Sequence, residues 1–265
     1  MVAIEAQNLE ITYGDRIIVS GLDVVFPQGQ VTALLGPNGS GKSTVLRSLA
    51  RLLPINRGIV YLHGKSIATI PTKNLARQLA MLPQSSEIPQ GITVWELISY
   101  GRYPHQNLLG RLNEEDKEII KWSIAVTGLE KLIQRQVDQL SGGERQRAWI
   151  AMALAQKTSV LLLDEPTTFL DIRHQLDVLN LVRNLNREHN ITVGWVLHDL
   201  NQAAAYSDNL IMMKNGKVLA QGNPENVMTT HNIKEVFDVD MMIIPHPENG
   251  YPTCLPSMEE LVNIG

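Results

Sequence analysis

The chain has 265 residues, 44% of them hydrophobic and 19% charged, with a mean hydropathy of −0.06; that suits a globular protein of one large or two small domains. Its formal net charge of −4 argues against a nucleic-acid surface, which needs a basic excess. A single cysteine, Cys254, excludes an internal disulfide and fits a reducing compartment; the N-terminal MVAIEAQNLE lacks a signal-peptide pattern, and no apolar run nears the ~18 residues that span a bilayer.

Residues 2–7 and 16–26 read as strands, the second with apolar Val19, Leu22, Val24 and Phe26. Gly29 precedes QVTALLG, a β-branched and apolar run that predicts a buried strand. A helix is expected from about Lys42 to Leu53. RGIVYLHGKSI predicts a hairpin turning at His63-Gly64, and LAMLP, residues 79–83, a further short buried strand. From about 84 to 157 the strand signal gives way to helical pattern, in TVWELISYG, in NEEDKEIIKWSIAVTG and after Ser141. Strands resume with SVLLLDEP at 159–166, a helix IRHQLDVLNLVRNLNREH runs to about 189, and ITVGWVLHD is again strand-like. IMMKNGKVLAQG, residues 211–222, predicts a hairpin on Asn215-Gly216, the favoured pair for a type I′ turn. TTHNIKEVF predicts a short helix, and PHPENGYPTCLP a Pro-rich terminal segment carrying no site. An α/β core interrupted by an inserted helical lobe is the expected organisation, with no repeats, low-complexity tract or long linker.

GPNGSGKST, residues 36–44, matches G-x-x-x-x-G-K-[ST] between a strand and a helix, the context a phosphate-binding loop requires. Its glycines let backbone N–H groups wrap phosphates, Lys42 reaches the β- and γ-phosphates, and the Ser43 hydroxyl coordinates magnesium. VLLLDEP, residues 160–166, ends a buried strand in two acids. Asp164 would hold the metal shell, and Glu165 would polarise the attacking water as general base. His198 lies just past a strand's carboxyl end, where ligands bind in open α/β sheets. His63, His105, His174, His189, His231 and His246 have no such setting and receive no chemistry. No His/Cys group has metal-ligand spacing and no G-x-S-x-G elbow is present. LSGGERQR, residues 140–147, is a small-residue turn opening a helix and so a second anion site, because free N–H groups and the helix dipole point outward there.

This set of motifs, in this order over nearly the whole chain, resembles the ATP-binding cassette (ABC) ATPases. The resemblance implies an α/β P-loop NTPase (RecA-like) core with an N-terminal antiparallel β subdomain and an inserted helical subdomain. The expected division is a single ABC ATPase domain with its core at about 1–83 and 158–265 and its helical part at about 84–157. It implies that Tyr13 stacks on adenine, that Gly36, Pro37, Asn38, Gly39, Ser40, Gly41, Lys42, Ser43 and Thr44 bind ATP, and that Gln84 touches Mg2+ and water and links to the transport partner. Ser141, Gly142, Gly143 and Glu144 match the signature motif, Asp164 and Glu165 the metal-binding and catalytic acids, Asp171 the acid of the dimer-interface loop, and His198 the histidine on the γ-phosphate. Two departures stand out: Glu144 where the signature commonly has Gln, and Thr168-Phe169 where two small residues commonly precede Leu-Asp. PTTFLDIRHQ, YGRYPH and HDLNQAAAYSD look like the ATPases of ferric-siderophore, heme and cobalamin importers.

One chain holds one complete P-loop and one complete signature, so two copies in a symmetric pair would form two composite ATP sites. The expected partners are a second copy, a transmembrane permease met through Gln84 and SSEIPQGITVWEL, and, indirectly, an extracytoplasmic substrate-binding protein; nucleic acid is not expected. The expected place is the cytoplasmic face of the cell membrane, peripherally. DNA-repair ABC proteins separate the P-loop from the signature by long coiled coils, and no heptad array is present here. Translation-type factors usually carry two cassettes, a P-loop kinase has no use for LSGGERQR, and exporter cassettes are usually fused to membrane spans. Heme, cobalamin or metal-ion import remain alternatives to siderophore uptake.

Overall fold

The computed structural model describes residues 1–84, 90–106 and 111–257. In chain order the elements are β1 (Val2–Tyr13), β2 (Arg16–Pro27), β3 (Val31–Leu35), α1 (Lys42–Leu49), β4 (Arg57–Leu62), β5 (Lys65–Ser66), α2 (Thr72–Ala76) and β6 (Leu79–Leu82). There follow α3 (Val94–Tyr100), α4 (Glu114–Val126), α5 (Gly142–Ala155), β7 (Val160–Asp164), α6 (Ile172–His189), β8 (Thr192–Val196) and α7 (Leu200–Tyr206). Last come β9 (Asn209–Lys214), β10 (Lys217–Gly222), α8 (Pro224–Val227), α9 (Thr230–Phe237), β11 (Met241–Pro245) and β12 (Pro252–Pro256). The chain forms two compact units, residues 1–68 with 192–265, and residues 69–191.

In the first unit an antiparallel sheet runs β2-β1-β4-β5. A second set of strands runs β10-β9-β3-β8, with β3 parallel to both β8 and β9. β3 and β8 are buried at every position, the pattern of strands covered on both faces. Asn215 and Gly216, at φ 50° and 74°, make the turn between β9 and β10, as the dipeptide predicts. His63 and Gly64, at φ 48° and 76°, turn β4 into β5. α1 ends at Leu49, before the expected Leu53, because Arg51 adopts a left-handed φ of 57° that no α-helix continues through. The Pro-rich segment forms the hairpin β11–β12, with Pro245 opposite Pro252, and Asn201 of α7 bonds both backbone groups of Cys254.

In the second unit β6 and β7 pair in parallel, Leu82 opposite Leu163, and β7 is buried throughout. Between residues 84 and 157 the described residues hold α3, α4, α5, short 3-10 turns and one isolated bridge, Thr93 to Gln136. The three helices pack around Leu97, Ile98, Ile120, Ile124, Ala148 and Ala151. A Cβ on Gly101 would lie 2.1 Å from the Met152 carbonyl oxygen, so the end of α3 approaches the α5 backbone as only glycine allows. The buried Arg102 guanidinium bonds Asp116 at 2.8 Å and the Ala155 carbonyl at 2.7 Å, joining the ends of three helices. That buried charge is both paired and hydrogen-bonded, the condition under which it is tolerated.

Candidate functional site

β3 delivers the chain into the loop at 36–41, where the backbone is held on several sides. Gly36 has φ 150°, and a Cβ there would stand 2.1 Å from the Met213 carbonyl oxygen of β9. The amide of Gly216, in the β9–β10 turn, donates to Ser40 O at 3.1 Å, and the Ser40 amide to Pro37 O at 3.2 Å. Lys42 is buried, and its Nζ donates to Gly36 O at 2.9 Å and Pro37 O at 3.0 Å. The cation is therefore held inside the loop. α1 begins on Gly41 with no capping side chain and no acid in its first turn, a helix start whose dipole favours an anion. Ser40 Oγ is buried without a hydrogen-bond partner, an orphaned polar atom in this loop. Both features fit a phosphate chain.

Strand register places His198 beside this loop. Leu34 of β3 pairs with Val196 of β8, and Gly36 and His198 each lie two residues on, past the same edge. His198 is exposed and directly precedes Asp199, which caps α7 by accepting from the Gln202 amide. Tyr13 ends β1 and is 49% exposed, leaving a ring face for stacking.

In the second unit the same logic joins Gln84 to Glu165. Leu82 pairs with Leu163, and the two polar residues each follow two positions later. Gln84 Nε2 donates to Glu165 Oε2 at 2.6 Å, and Thr168 Oγ1 to the same oxygen at 3.1 Å. Gln84 thus holds the second acid of the pair through its amide nitrogen. Asp164 is buried at the end of β7, and Glu165 turns away at a left-handed φ of 52°. Such strain in a non-glycine residue is often found where geometry serves function.

The signature turn is a capping box. Ser141 Oγ accepts from the Glu144 amide at 3.3 Å, while Glu144 Oε2 accepts from the Ser141 amide at 2.9 Å. The Ser141 amide holds the Glu144 carboxyl below its ordinary value. The Ser141 hydroxyl adds to this, so residue 141 holds the Glu144 carboxyl through both its backbone and its side chain. Beside the turn, Asp171 caps α6 by accepting from the His174 amide at 2.9 Å, which holds its carboxyl low. Phe169, two residues before Asp171, is 97% exposed at φ 64°, and Ile172 is also exposed. The structure thus brings together residues 36–44 with His198 in one unit, and Gln84 with Glu165 and residues 141–144 with 170–174 in the other.

Thr168 and His174 are missing from the sequence-based set. Each stands three residues after an acid it contacts, Glu165 and Asp171, and that spacing in a turn or helix start is the only signal that would have found them. Residues 85–89 of the expected permease contact lie outside the described residues. For Mg2+ the donor types fit: the Ser43 hydroxyl, Asp164 carboxylate and Gln84 amide oxygen are hard oxygen ligands.

A family model for ABC transporters matches residues 19–168. The iron(3+)-hydroxamate import ATP-binding protein FhuC of Bacillus subtilis is 49% identical over 255 residues, covering 96% of this chain and 95% of that protein. The ferric enterobactin transport ATP-binding protein FepC of Escherichia coli is 46% identical over 253 residues, covering 96% and 93%. Among solved structures, a metal-chelate type ABC transporter in an inward-facing conformation superposes with a TM-score of 0.85 at 26% identity, over 98% of this chain and 99% of that one. A bacterial ABC transporter cassette solved as a dimer superposes with a TM-score of 0.73 at 26% identity, over 83% and 98%.

Proposed function

The chain belongs to the ABC transporter ATPase family, with its P-loop NTPase fold, and from that premise we propose that it powers uptake of a ferric-siderophore complex through a separate membrane permease. The observation that carries the reading is the pair of half-sites on one chain. A P-loop opens one helix with no capping side chain and no acid in its first turn, and the signature turn opens another through a capping box. A second copy supplies the half that each lacks. Similarity to ATPases named for hydroxamate and enterobactin import supports the siderophore cargo.

In the proposed reaction Lys42 and the amides of residues 36–44 bind and neutralise the phosphates of ATP. Glu165, oriented by Gln84 and Thr168, accepts a proton from water as the water oxygen bonds to the γ-phosphorus. The bond from that phosphorus to the β,γ-bridging oxygen breaks, giving ADP and inorganic phosphate. His198 steadies the γ-phosphate, Tyr13 stacks on adenine, and Ser141, Gly142 and Gly143 of the second copy contact the γ-phosphate. Ser43, Asp164 and Gln84 would hold Mg2+, which supplies positive charge to the phosphate oxygens when bound.

We assign permease contact to the segment from Gln84 to His105, where Tyr100 and Tyr103 are exposed, Tyr103 at 77%. Exposed aromatics of this kind are enriched at protein interfaces. No helix among the described residues is long and apolar enough to cross a membrane, which accords with peripheral attachment to a permease on the cytoplasmic face, an extracytoplasmic binding protein delivering cargo.

Glu165→Gln should bind ATP with near-normal affinity and turn over at least about 100-fold more slowly, the size of a general-base contribution. Near-normal turnover by that variant would refute the assignment. Uptake of labelled ferric hydroxamate by cells lacking this chain should return with the wild type and fail with Glu165→Gln. Restored uptake of heme or cobalamin in place of the ferric complex would overturn the cargo.

A further inference from the structure

The two signature glycines stand side by side at the start of α5, yet their surroundings differ. A Cβ on Gly142 would meet nothing closer than Leu170 Cδ2 at 3.7 Å, an ordinary contact, and the residue is exposed. A Cβ on Gly143 would lie 2.2 Å from His174 Cδ2, 2.6 Å from Cγ and 3.0 Å from Nε2, and the residue is buried. All three of the nearest heavy atoms to that position belong to the His174 ring. The imidazole itself is latched. Its Nδ1 lies 2.8 Å from Asp171 Oδ1, and the same oxygen accepts the His174 backbone N–H at 2.9 Å. A carboxylate only accepts here, so Nδ1 carries the hydrogen and donates it. Turning the ring away from Gly143 would break that bond.

We propose that His174 is a positioning residue: its ring, latched by Asp171, is the back wall of the signature turn and makes the turn and the interface loop move as one piece. On this view the glycines are small for different reasons. Gly143 is small because His174 of its own chain fills the space a side chain would take. Gly142 meets no obstacle in its own chain and is small for what approaches from outside. The inference rests on the reading of residues 141–143 as the turn that closes on ATP bound by a second copy. It adds that loss of the ring, which stands behind the turn, weakens that closure.

The test uses the full-length chain with Glu165→Gln, in which ATP-driven dimers accumulate, and reads dimer formation by sedimentation together with thermal melting. Gly143→Ala should lower the melting temperature and weaken ATP-dependent dimerisation at least about tenfold, the scale of an overpacking clash. Adding His174→Ala should remove the clash, so that the double variant melts and dimerises like His174→Ala alone, a non-additive result. Gly142→Ala should leave melting unchanged and lose dimerisation whether or not His174→Ala is present. His174→Ala alone should weaken dimerisation with ATP affinity of the monomer unchanged, and His174→Asn, whose amide nitrogen reaches Asp171, should restore much of it. A Gly143→Ala defect that persists in full beside His174→Ala would overturn the proposal, as would dimerisation of His174→Ala indistinguishable from its parent. If the Glu165→Gln parent itself forms no dimer with ATP, the dimer-closure reading is what fails, and the melting temperatures of the Gly143 and His174 pair then decide the wall by themselves.

Discussion

Cys254 shows how burial decides what a side chain does. It lies on β12 at 5% exposure, and desolvation, with a smaller contribution from the nearby Asp199 charge, pushes its thiol up to about 11 from an ordinary 9.0. A raised thiol pKa means the neutral SH form persists at pH 8, where the unfolded chain already holds some thiolate. Iodoacetamide at pH 8 should therefore alkylate the folded protein at least about tenfold more slowly than the chain in urea, with the folded rate climbing steeply only toward pH 11. Equal rates in mass-spectrometric time courses would show the thiol to be accessible. The acids and loop residues at 36–44, 141–143, 164 and 165 are legible from motif alone, since each motif is a contiguous run whose chemistry depends on local backbone. Thr168 and His174 are not, because their role lies in which oxygen or which glycine their side chains meet.

Helix starts carry a shared electrostatic signature. α3, α5 and α6 open on Thr93, Ser141 and Asp171, and the carboxyls of Glu96, Glu144 and Asp171 are each held below their ordinary values by backbone N–H groups at these caps. A depressed folded pKa gives stability that is fully present above the unfolded value and is lost as pH falls. With ordinary values of 4.5 for glutamate and 3.8 for aspartate, that loss belongs to the range below pH 4.5. Melting temperatures scanned from pH 6 to pH 3 should stay level and then fall below about pH 4.5, and Glu144→Gln, whose amide still closes the capping box without titrating, should fall less. An identical fall in both proteins would remove Glu144 from the account. Elements with strong periodicity, such as α6 and the buried runs VTALL and VLLLD, are readable in sequence. The hairpin β11–β12 is not, because MMIIP and PTCLP are bounded by prolines that donate no hydrogen bond and read as punctuation. The short α2, α7 and α8 likewise lack the length over which a period shows.

At the scale of the whole molecule, the exposed apolar residues around Asp171 bear on assembly. Phe169, on a loop whose backbone is strained there, and Ile172, the first residue of α6, stand in water, which a lone chain gains nothing from. Phe169→Asp with Ile172→Asp should weaken ATP-dependent dimerisation about tenfold or more in sedimentation experiments while leaving the melting temperature of the monomer unchanged, since neither side chain is packed. Undiminished dimerisation would exclude this face from the interface. The helical stretch expected at 84–157 holds helices and 3-10 turns among the described residues, while the compact units divide between residues 68 and 69 and between 191 and 192. The sequence by itself determined the family and its ATPase activity and picked out the candidate phosphate-binding and acidic residues, because phosphate loops, strand-end acids and capped turns are written in contiguous residues. Only the tertiary structure decided that Gln84 steadies Glu165, that register sets His198 beside the P-loop, and that His174 walls the signature turn. Those relations arise where separate segments pack or pair, and no local pattern encodes which side chains then meet.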